Sequence, residues 1–192
     1  MSDFDSTAYD SMTYEEFGRR FFEIAVTEER VAAAIGQIAG EEFTMGPMAQ
    51  GPGKFAKVTA KVRVQDPAVT RHQGEQLTFD IQIPLEIELI IDLRIDKPRF
   101  KVFGEIALRA TAIAAHPLSL ILDVEKPRPS DISIHITSTT LRAELVRIVG
   151  GVDAEIKRFV AQHVAGEIDS PESAKAKVID INSQIDEVWT GV

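Results

Sequence analysis

The stretch LTFDIQIPLEIELIIDLRI, residues 77–95, decides the fold class because it alternates apolar and polar residues along its whole length. All ten odd-numbered positions are apolar, whereas Ile90 is the single apolar residue among the nine even-numbered positions. Successive side chains of a strand point to opposite faces, so this alternation is typical of a long β-strand with one buried face. We therefore expect a sheet with an apolar inner side and a polar outer side.

Other segments repeat the same alternation on a shorter scale. Residues 56–64 predict a strand before the long one, and residues 100–114 predict a second long strand after a turn at Asp96-Lys97-Pro98. Shorter strands are predicted over 118–124 and 132–136, while the glycines and prolines of 44–53 predict a loop. Because the connections are short, the five strands are expected to form an antiparallel meander.

The length of the strand at residues 77–95 implies curvature. At about 3.3 Å per residue it would extend for about 63 Å, whereas a compact chain of this size has a diameter of about 42 Å. A flat hairpin would therefore extend beyond the molecule, so we expect the sheet to coil strongly, with a bulge at Pro84, where a backbone donor is missing.

Three helical regions are predicted. Thr13 and Glu16 have the spacing of a capping box, so a long helix is expected to begin there and to run to Gly40, with a break near Thr27. A second long amphipathic helix is expected over 141–165, weakened or bent at its two adjacent glycines, residues 150 and 151. Ser170-Pro171 predicts the start of a last helix, over 171–189.

These elements define an α+β protein in which a long, strongly curved antiparallel meander wraps around a long amphipathic helix, with N-terminal and C-terminal helices. Residues 1–11 are polar and are expected to be disordered. Residues 12–168 are expected to form one domain, and residues 169–192 a C-terminal helical appendage.

Composition excludes several classes of protein. The formal net charge is −9, with 21 Lys and Arg against 30 Asp and Glu, so no nucleic-acid partner is expected. The chain has no cysteine, which excludes disulfides and thiolate chemistry. The first residues lack the pattern of a secretory signal, so a cytoplasmic location is expected; the alternative is an exported protein whose signal has been removed.

No reaction signature is found, so the chain is not expected to be an enzyme. His72, His116, His135 and His163 have no metal-ligand spacing, and no cofactor or metal is predicted. The segment Arg94–Lys101 at the hairpin turn carries four cations, which indicates either a solvated tip or a transient contact with a membrane surface.

The inner face of the second long strand is notable for its small side chains. Four positions on this face have small side chains that fill little space: Gly104, Ala110, Ala112 and Ala114. Such a surface permits either close approach of a helix or a ligand cavity. The cavity alternative predicts a wall made by both long strands and the helix at 141–165: Leu85, Ile87, Leu89, Ile91, Ile106, Leu108, Ala110, Ala112, Leu145, Ile148 and Val152.

The segment ISIHITSTTLRAELVRIVGGVDAEIKRFVAQHV, residues 132–164, resembles the closing strand and helix of the tubular lipid-binding superfamily, whose members include bactericidal/permeability-increasing-like and SMP-like modules. The resemblance is one of pattern and covers about residues 28–165. It implies a bacterial lipid-binding protein in which acyl chains occupy the seam between a coiled sheet and a helix.

Taken together, these observations predict non-enzymatic binding or transport of a long apolar ligand, such as a lipid or fatty acyl chain. Two alternatives remain open. One is an enzyme of helix-grip or hot-dog-like fold acting on a hydrophobic substrate, for which His163 is the candidate acid or base. The other is an assembly module that forms a homodimer or binds a protein through the helix at 171–189.

Overall fold

The computed structural model describes residues 10–39, 42–54, 56–93, 96–135 and 143–190. Within these ranges it describes the side chains of all residues except 37–39, 52, 143–150 and 190. The fold is α+β. An antiparallel sheet of eight strands curls into a half-barrel, and five α-helices accompany it in this described part. The expectation of an α+β protein with a curved antiparallel sheet is therefore confirmed.

The elements follow one another along the chain as helices, then strands, then helices. The helices are α1 (Tyr14–Ala25), α2 (Glu28–Ala39), α3 (Ala143–Ile168), α4 (Pro171–Ala176) and α5 (Ile181–Thr190). The strands are β1 (Glu42–Gln50), β2 (Ala56–Val64), β3 (Ala68–Gln73), β4 (Leu77–Asp92), β5 (Arg99–Ala115), β6 (Ser119–Val124), β7 (Ile132–His135) and β8 (Val178–Asp180).

The hairpin of β4 and β5 forms the centre of the sheet. Its register is continuous from the pair Leu77 and Ala112 to the pair Ile90 and Arg99. The other edge of β4 pairs with β3 and then β2, and the other edge of β5 pairs with β6 and then β7. Two long strands are thus flanked on each side by shorter strands laid end to end.

A bulge was expected in β4 at Pro84. The sheet is irregular at this point, but the irregularity is a break between the neighbouring strands β2 and β3 and not a bulge in β4. Val64 of β2 pairs with Leu85, whereas Ala68 of β3 pairs with Gln82, so the register shifts by one residue between the two strands. The Pro84 carbonyl accepts a hydrogen bond from the Gln65 N–H at 2.9 Å. Since the N–H and C=O of a strand residue point to the same edge, the missing donor of Pro84 faces this break.

The prediction of a loop over 44–53 is wrong for most of its length, because β1 occupies Glu42–Gln50 as an edge strand. A register shift between Met45 and Met48 accommodates the Gly46-Pro47 pair. Gly46 has φ 105°, and an added Cβ would lie 2.6 Å from the Val58 carbonyl oxygen. A bulged edge strand tolerates both residue types, which a central strand would not.

The prediction of one C-terminal helix over 171–189 is also wrong. Ser170 caps α4 as expected, but the helix ends at Ala176, and β8 then pairs with the edge of β6 before α5 begins. The Leu122 N–H donates to the Lys177 carbonyl oxygen at 2.8 Å. The β-branched residues Val178 and Ile179 therefore form a strand that pairs with the free edge of β6. The expected C-terminal appendage thus contributes a strand to the sheet.

The N-terminal helical region begins and breaks where the sequence predicts. The capping box of Thr13 and Glu16 is confirmed, since each accepts from the other's backbone N–H, at 3.1 and 2.9 Å. The helix breaks at Val26 and Thr27, and Thr27 Oγ1 accepts from the Arg30 N–H at 3.3 Å to start α2. Residues 1–9 lie outside the described residues.

The helix expected over 141–165 is α3, which is continuous through both glycines. An added Cβ on Gly151 would lie 3.2 Å from Gln50 Oε1, so this glycine permits close approach to the end of β1. One face of α3 is buried, and the helix contacts β1, β2 and β7. The expected passage from the last strand into this helix, at 136–142, lies outside the described residues.

Candidate functional site

The inner face of the sheet, meaning its buried face, is tightly closed near the hairpin turn. We call this region the closed half: the inner-face residues of β2 from Ala56 to Val62, of β4 from Ile83 to Ile91 and of β5 from Val102 to Ile106. Their side chains are at most 1% exposed. Val152, Ile156 and Val160 of α3 belong to the same core and are equally buried. Such close packing is that of an ordinary protein core, and it leaves no wide channel at these residues.

The residues predicted as a cavity wall divide between the closed half and the rest of the core. Leu85, Ile87, Leu89, Ile91 and Ile106 lie in the closed half, and Val152 of α3 packs with the same core. Ala110 is fully buried next to the closed half, whereas Leu108 and Ala112 are 7% and 6% exposed. Leu145 and Ile148 lie in the first turns of α3, and their side chains are outside the described part.

The inner face opens at the opposite end of the hairpin, where β4 begins and β5 ends. Here Leu77 and Ala112 form a cross-strand pair, and Leu77 is 9% exposed. Both line a groove of about 630 Å³, together with Ala114 and with Phe22 of α1. We call this place the open end. Ala112 and Ala114 fill little of this space, but small residues alone do not open the face, because Ala56, Ala60 and Gly104 lie buried in the closed half.

Helix α1 forms the other wall of this groove and is held by its C-terminal end. Arg71 of β3 donates from Nη1 to the Glu23 carbonyl oxygen at 2.9 Å, and Arg30 donates to the Ala25 carbonyl oxygen at 2.8 Å. These guanidinium groups satisfy carbonyls that have no partner within the helix. No side chain of Tyr14–Ala25 is fully buried, but Phe21, Phe22 and Ala25 are partly buried and pack against the core, so α1 covers the open end mainly with its C-terminal half.

The rim of the groove is polar and predominantly acidic. Glu15, Glu23 and Glu75 line it alongside a single cation, Arg19. Arg19 Nη2 lies 3.3 Å from Glu15 Oε1, and both side chains are largely exposed. The groove therefore combines an apolar floor with a rim whose formal charge is negative, an arrangement that favours neutral or cationic groups over anions.

The outer face of the closed half carries carboxylates that are neutralised by neighbouring cations. Lys101 Nζ lies 2.7 Å from Glu86 Oε1, and this hydrogen bond and charge lower the pKa of Glu86. Arg99 lies 3.4 Å from Glu88, and Lys97 lies 2.9 Å from Asp92. Three of the four cations that suggested a membrane contact at the hairpin turn are thus paired with acids of β4, and the fourth, Arg94, lies outside the described residues.

His163, the residue on which an enzyme reading depends, lies between α3 and β1. Its ring centroid is 4.0 Å from that of Phe43 and 6.4 Å from that of Phe159, with the latter rings stacked. It does not line the groove at the open end. This position gives the imidazole a packing role.

The residues that the structure describes contain no group of three or more His, Cys, Asp or Glu side chains placed to hold a metal ion. None of their helices combines the length and the apolar character that crossing a bilayer requires. No protein-family model matches the sequence, and no curated protein matches it either.

Proposed function

We propose that the protein binds a long apolar ligand without chemical turnover, and that the ligand enters at the open end, between α1 and the sheet. The observation that carries the proposal is the groove of about 630 Å³ that reaches the inner face at Leu77 and Ala112. Its volume falls within the roughly 300–1,000 Å³ of typical ligand sites. The pattern resemblance to tubular lipid-binding modules supports the same class of ligand.

The affinity would come from burial of apolar surface. An alkyl chain gains about 0.8 kcal/mol for each methylene that it buries, before the costs of ordering are subtracted. Leu77, Ala112, Ala114 and Phe22 offer this chain an apolar floor and one aromatic wall. Only the shape of the groove would select the alkyl chain of the ligand, so we expect the protein to bind different alkyl chains of similar length.

The acidic rim would select the polar end of the ligand. Three glutamates and one arginine face the solvent side of the groove, so a carboxylate head would meet net repulsion. We therefore propose a neutral or cationic head group, such as an alcohol, an ester or an amine. Because these rim charges are exposed, the preference should be a few-fold and should diminish in high salt.

The test is displacement of the fluorescent dye Nile red by a sixteen-carbon alcohol. Ala112→Leu fills the floor of the groove and should weaken binding of the alcohol at least tenfold. Ala107→Leu is the matched control, since Ala107 lies on the same strand but on the exposed outer face. Equal affinities for the two variants and the unaltered protein would contradict the site.

The head-group preference is tested in the same assay by comparing the alcohol with the acid of equal chain length. We expect the alcohol to displace the dye at lower concentration, and the difference to disappear in high salt. Tighter binding of the acid would contradict the role of the rim while leaving the apolar floor intact.

A further inference from the structure

Helix α1 is attached to the rest of the described fold by its C-terminal half. Among the described residues, the hydrogen bonds and ion pairs of residues 13–22 all lie within the helix and its caps. Glu23 is the first residue of the helix that accepts a hydrogen bond from another element, at 2.9 Å from Arg71 Nη1. Tyr14 is 98% exposed, whereas Phe22 packs against the core. The N-terminal half of α1 therefore borders the groove without being bonded to the sheet.

The connection between α1 and α2 has the properties of a hinge. Val26 leaves the helical conformation, with φ −113° and ψ 88°, and its side chain is buried, so the pivot is held in the core. Helix α1 is capped at its start by the box of Thr13 and Glu16. Helix α2 is capped by Thr27 Oγ1, which accepts from the Arg30 N–H. A change in the dihedral angles at this connection therefore moves α1 without breaking the caps of either helix.

Helix α2 is the fixed side of this hinge. Its residues Val31 and Ile35 are 2% and 1% exposed and belong to the core, and the helix packs against β3. The Arg71 N–H of β3 donates to Glu28 Oε1 at 2.8 Å, which ties the start of α2 to the sheet. Arg71 thus contacts both helices, because its backbone holds α2 and its guanidinium group holds α1.

We propose that α1 is a lid over the open end, that it swings about the hinge to α2, and that the hydrogen bond from Arg71 to the Glu23 carbonyl oxygen is its latch. The inference rests on the proposed function, because the ligand would enter between α1 and the sheet. Arg71 is the cross-strand neighbour of Phe79, which is fully buried and follows Leu77 on the inner face. The latch therefore fastens α1 where the accessible part of the inner face passes into the core.

The latch should control the rates of ligand entry and release while changing the affinity little. A ligand that passes under α1 crosses the open state in both directions, so a larger open population raises both rates by the same factor. Loss of one hydrogen bond with a charged donor should raise that population about tenfold.

The first experiment measures the lid without any ligand. Arg71→Met keeps the apolar stem of the side chain and the backbone bond to Glu28, but removes the guanidinium donors. An undocked helix of 12 residues is marginal in water. Hydrogen exchange of the α1 amides should therefore become about tenfold faster in this variant, while exchange of the α2 amides stays unchanged.

Arg63→Met is the matched control for this measurement, because Arg63 lies on the outer face of β2 and pairs with Glu42. It should leave the exchange of α1 as in the unaltered protein. Unchanged α1 exchange in Arg71→Met would overturn the latch. Equal acceleration of α1 and α2 would mean that the two helices move as one unit, and it would overturn the hinge.

The second experiment fixes the lid in place. Because the chain has no cysteine, a flexible bis-maleimide can join Arg19→Cys on α1 to Gln76→Cys on the opposite wall of the groove. Nile red loaded before cross-linking and displaced by the sixteen-carbon alcohol should then leave about tenfold more slowly than from the same double variant capped with N-ethylmaleimide. Equal release rates would overturn the lid.

The two experiments separate failure of the lid from failure of the proposed function. Arg71→Met should release Nile red faster than the unaltered protein does, with a nearly unchanged dissociation constant. If neither Nile red nor the alcohol binds, yet α1 exchange responds to Arg71→Met as expected, the proposed function fails while the hinge and the latch are supported. If the dye binds and neither exchange nor release responds, the site is supported and the lid is overturned.

Discussion

The two ends of the β4–β5 hairpin belong to one continuous register, yet their inner faces are packed differently. In the closed half, Ile83, Leu85 and Ile87 are at most 1% exposed, and large branched side chains meet one another. At the open end, Leu77 faces Ala112, and both border a groove. Alternation therefore fixes which face is buried, whereas the side chains and helices packed over that face decide whether it is filled.

The largest expected difference between the two regions concerns removal of a large side chain. Ile87→Ala should lower the free energy of unfolding by about 3 kcal/mol, because the fully buried site leaves a cavity. Leu77→Ala should cost about 2 kcal/mol or less, because its site already borders solvent-filled space. Urea denaturation of both variants measures the difference, and equal losses would mean that the open end is as tightly packed as the closed half.

A smaller difference is expected when an alanine is enlarged. Ala60 and Ala112 both lie on the inner face, but Ala60 is fully buried in the closed half. Ala60→Leu should cost about 1–3 kcal/mol through overpacking, whereas Ala112→Leu should cost less than about 1 kcal/mol because the groove receives the added carbons. The same denaturation measurement decides the matter. A larger loss for Ala112→Leu would remove the distinction between the two regions.

The smallest expected effect is the pH dependence of the stability of α1, a helix that covers the open end and not the closed half. The Thr13 N–H and hydroxyl bind the Glu16 carboxylate and lower its pKa. A lowered pKa in the folded state means that the stabilisation is present above the unfolded pKa and is lost as the pH falls through the folded pKa. We therefore expect α1 to loosen below about pH 4.3 while the closed half keeps its packing.

This pH effect is measured by following the Glu16 carboxyl and the α1 amides by NMR during an acid titration. Thr13→Ala removes the hydroxyl but leaves the backbone donor, so it should raise the pKa of Glu16 part of the way toward its ordinary range. An unchanged pKa in this variant would assign the shift to the backbone donor alone.

Much of the sheet could be predicted because alternation is a local signal. The strands at 56–64, 77–92 and 99–115 are recognisable from their buried patterns, and the capping box of Thr13 and Glu16 needs only residues three apart. Strands β1, β3 and β8 were not predicted. Their residues include glycine, proline, a polar segment and a stripe with helical spacing, and they become strands because a neighbouring edge supplies hydrogen-bond partners.

The candidate site was foreseen only in part. The small inner-face residues of β5 were recognised, and Ala112 does lie at the groove. Leu77 and Phe22 were not singled out as binding residues, although the pairing of Leu77 with Ala112 follows from the hairpin register once the turn is placed. The acidic rim comes from two segments, since Glu15, Arg19 and Glu23 recur every four residues on α1 whereas Glu75 lies between β3 and β4, and only the tertiary structure brings Glu75 next to the helix.

The sequence by itself determined a one-sided antiparallel sheet, its long curved hairpin and the start and break of the N-terminal helices, because each depends on periodicity or on groups a few residues apart. Only the tertiary structure decided where the inner face is sealed and where it is open. That outcome depends on which helix lies over which strands, and on side-chain volumes that meet across the fold between residues far apart in the chain.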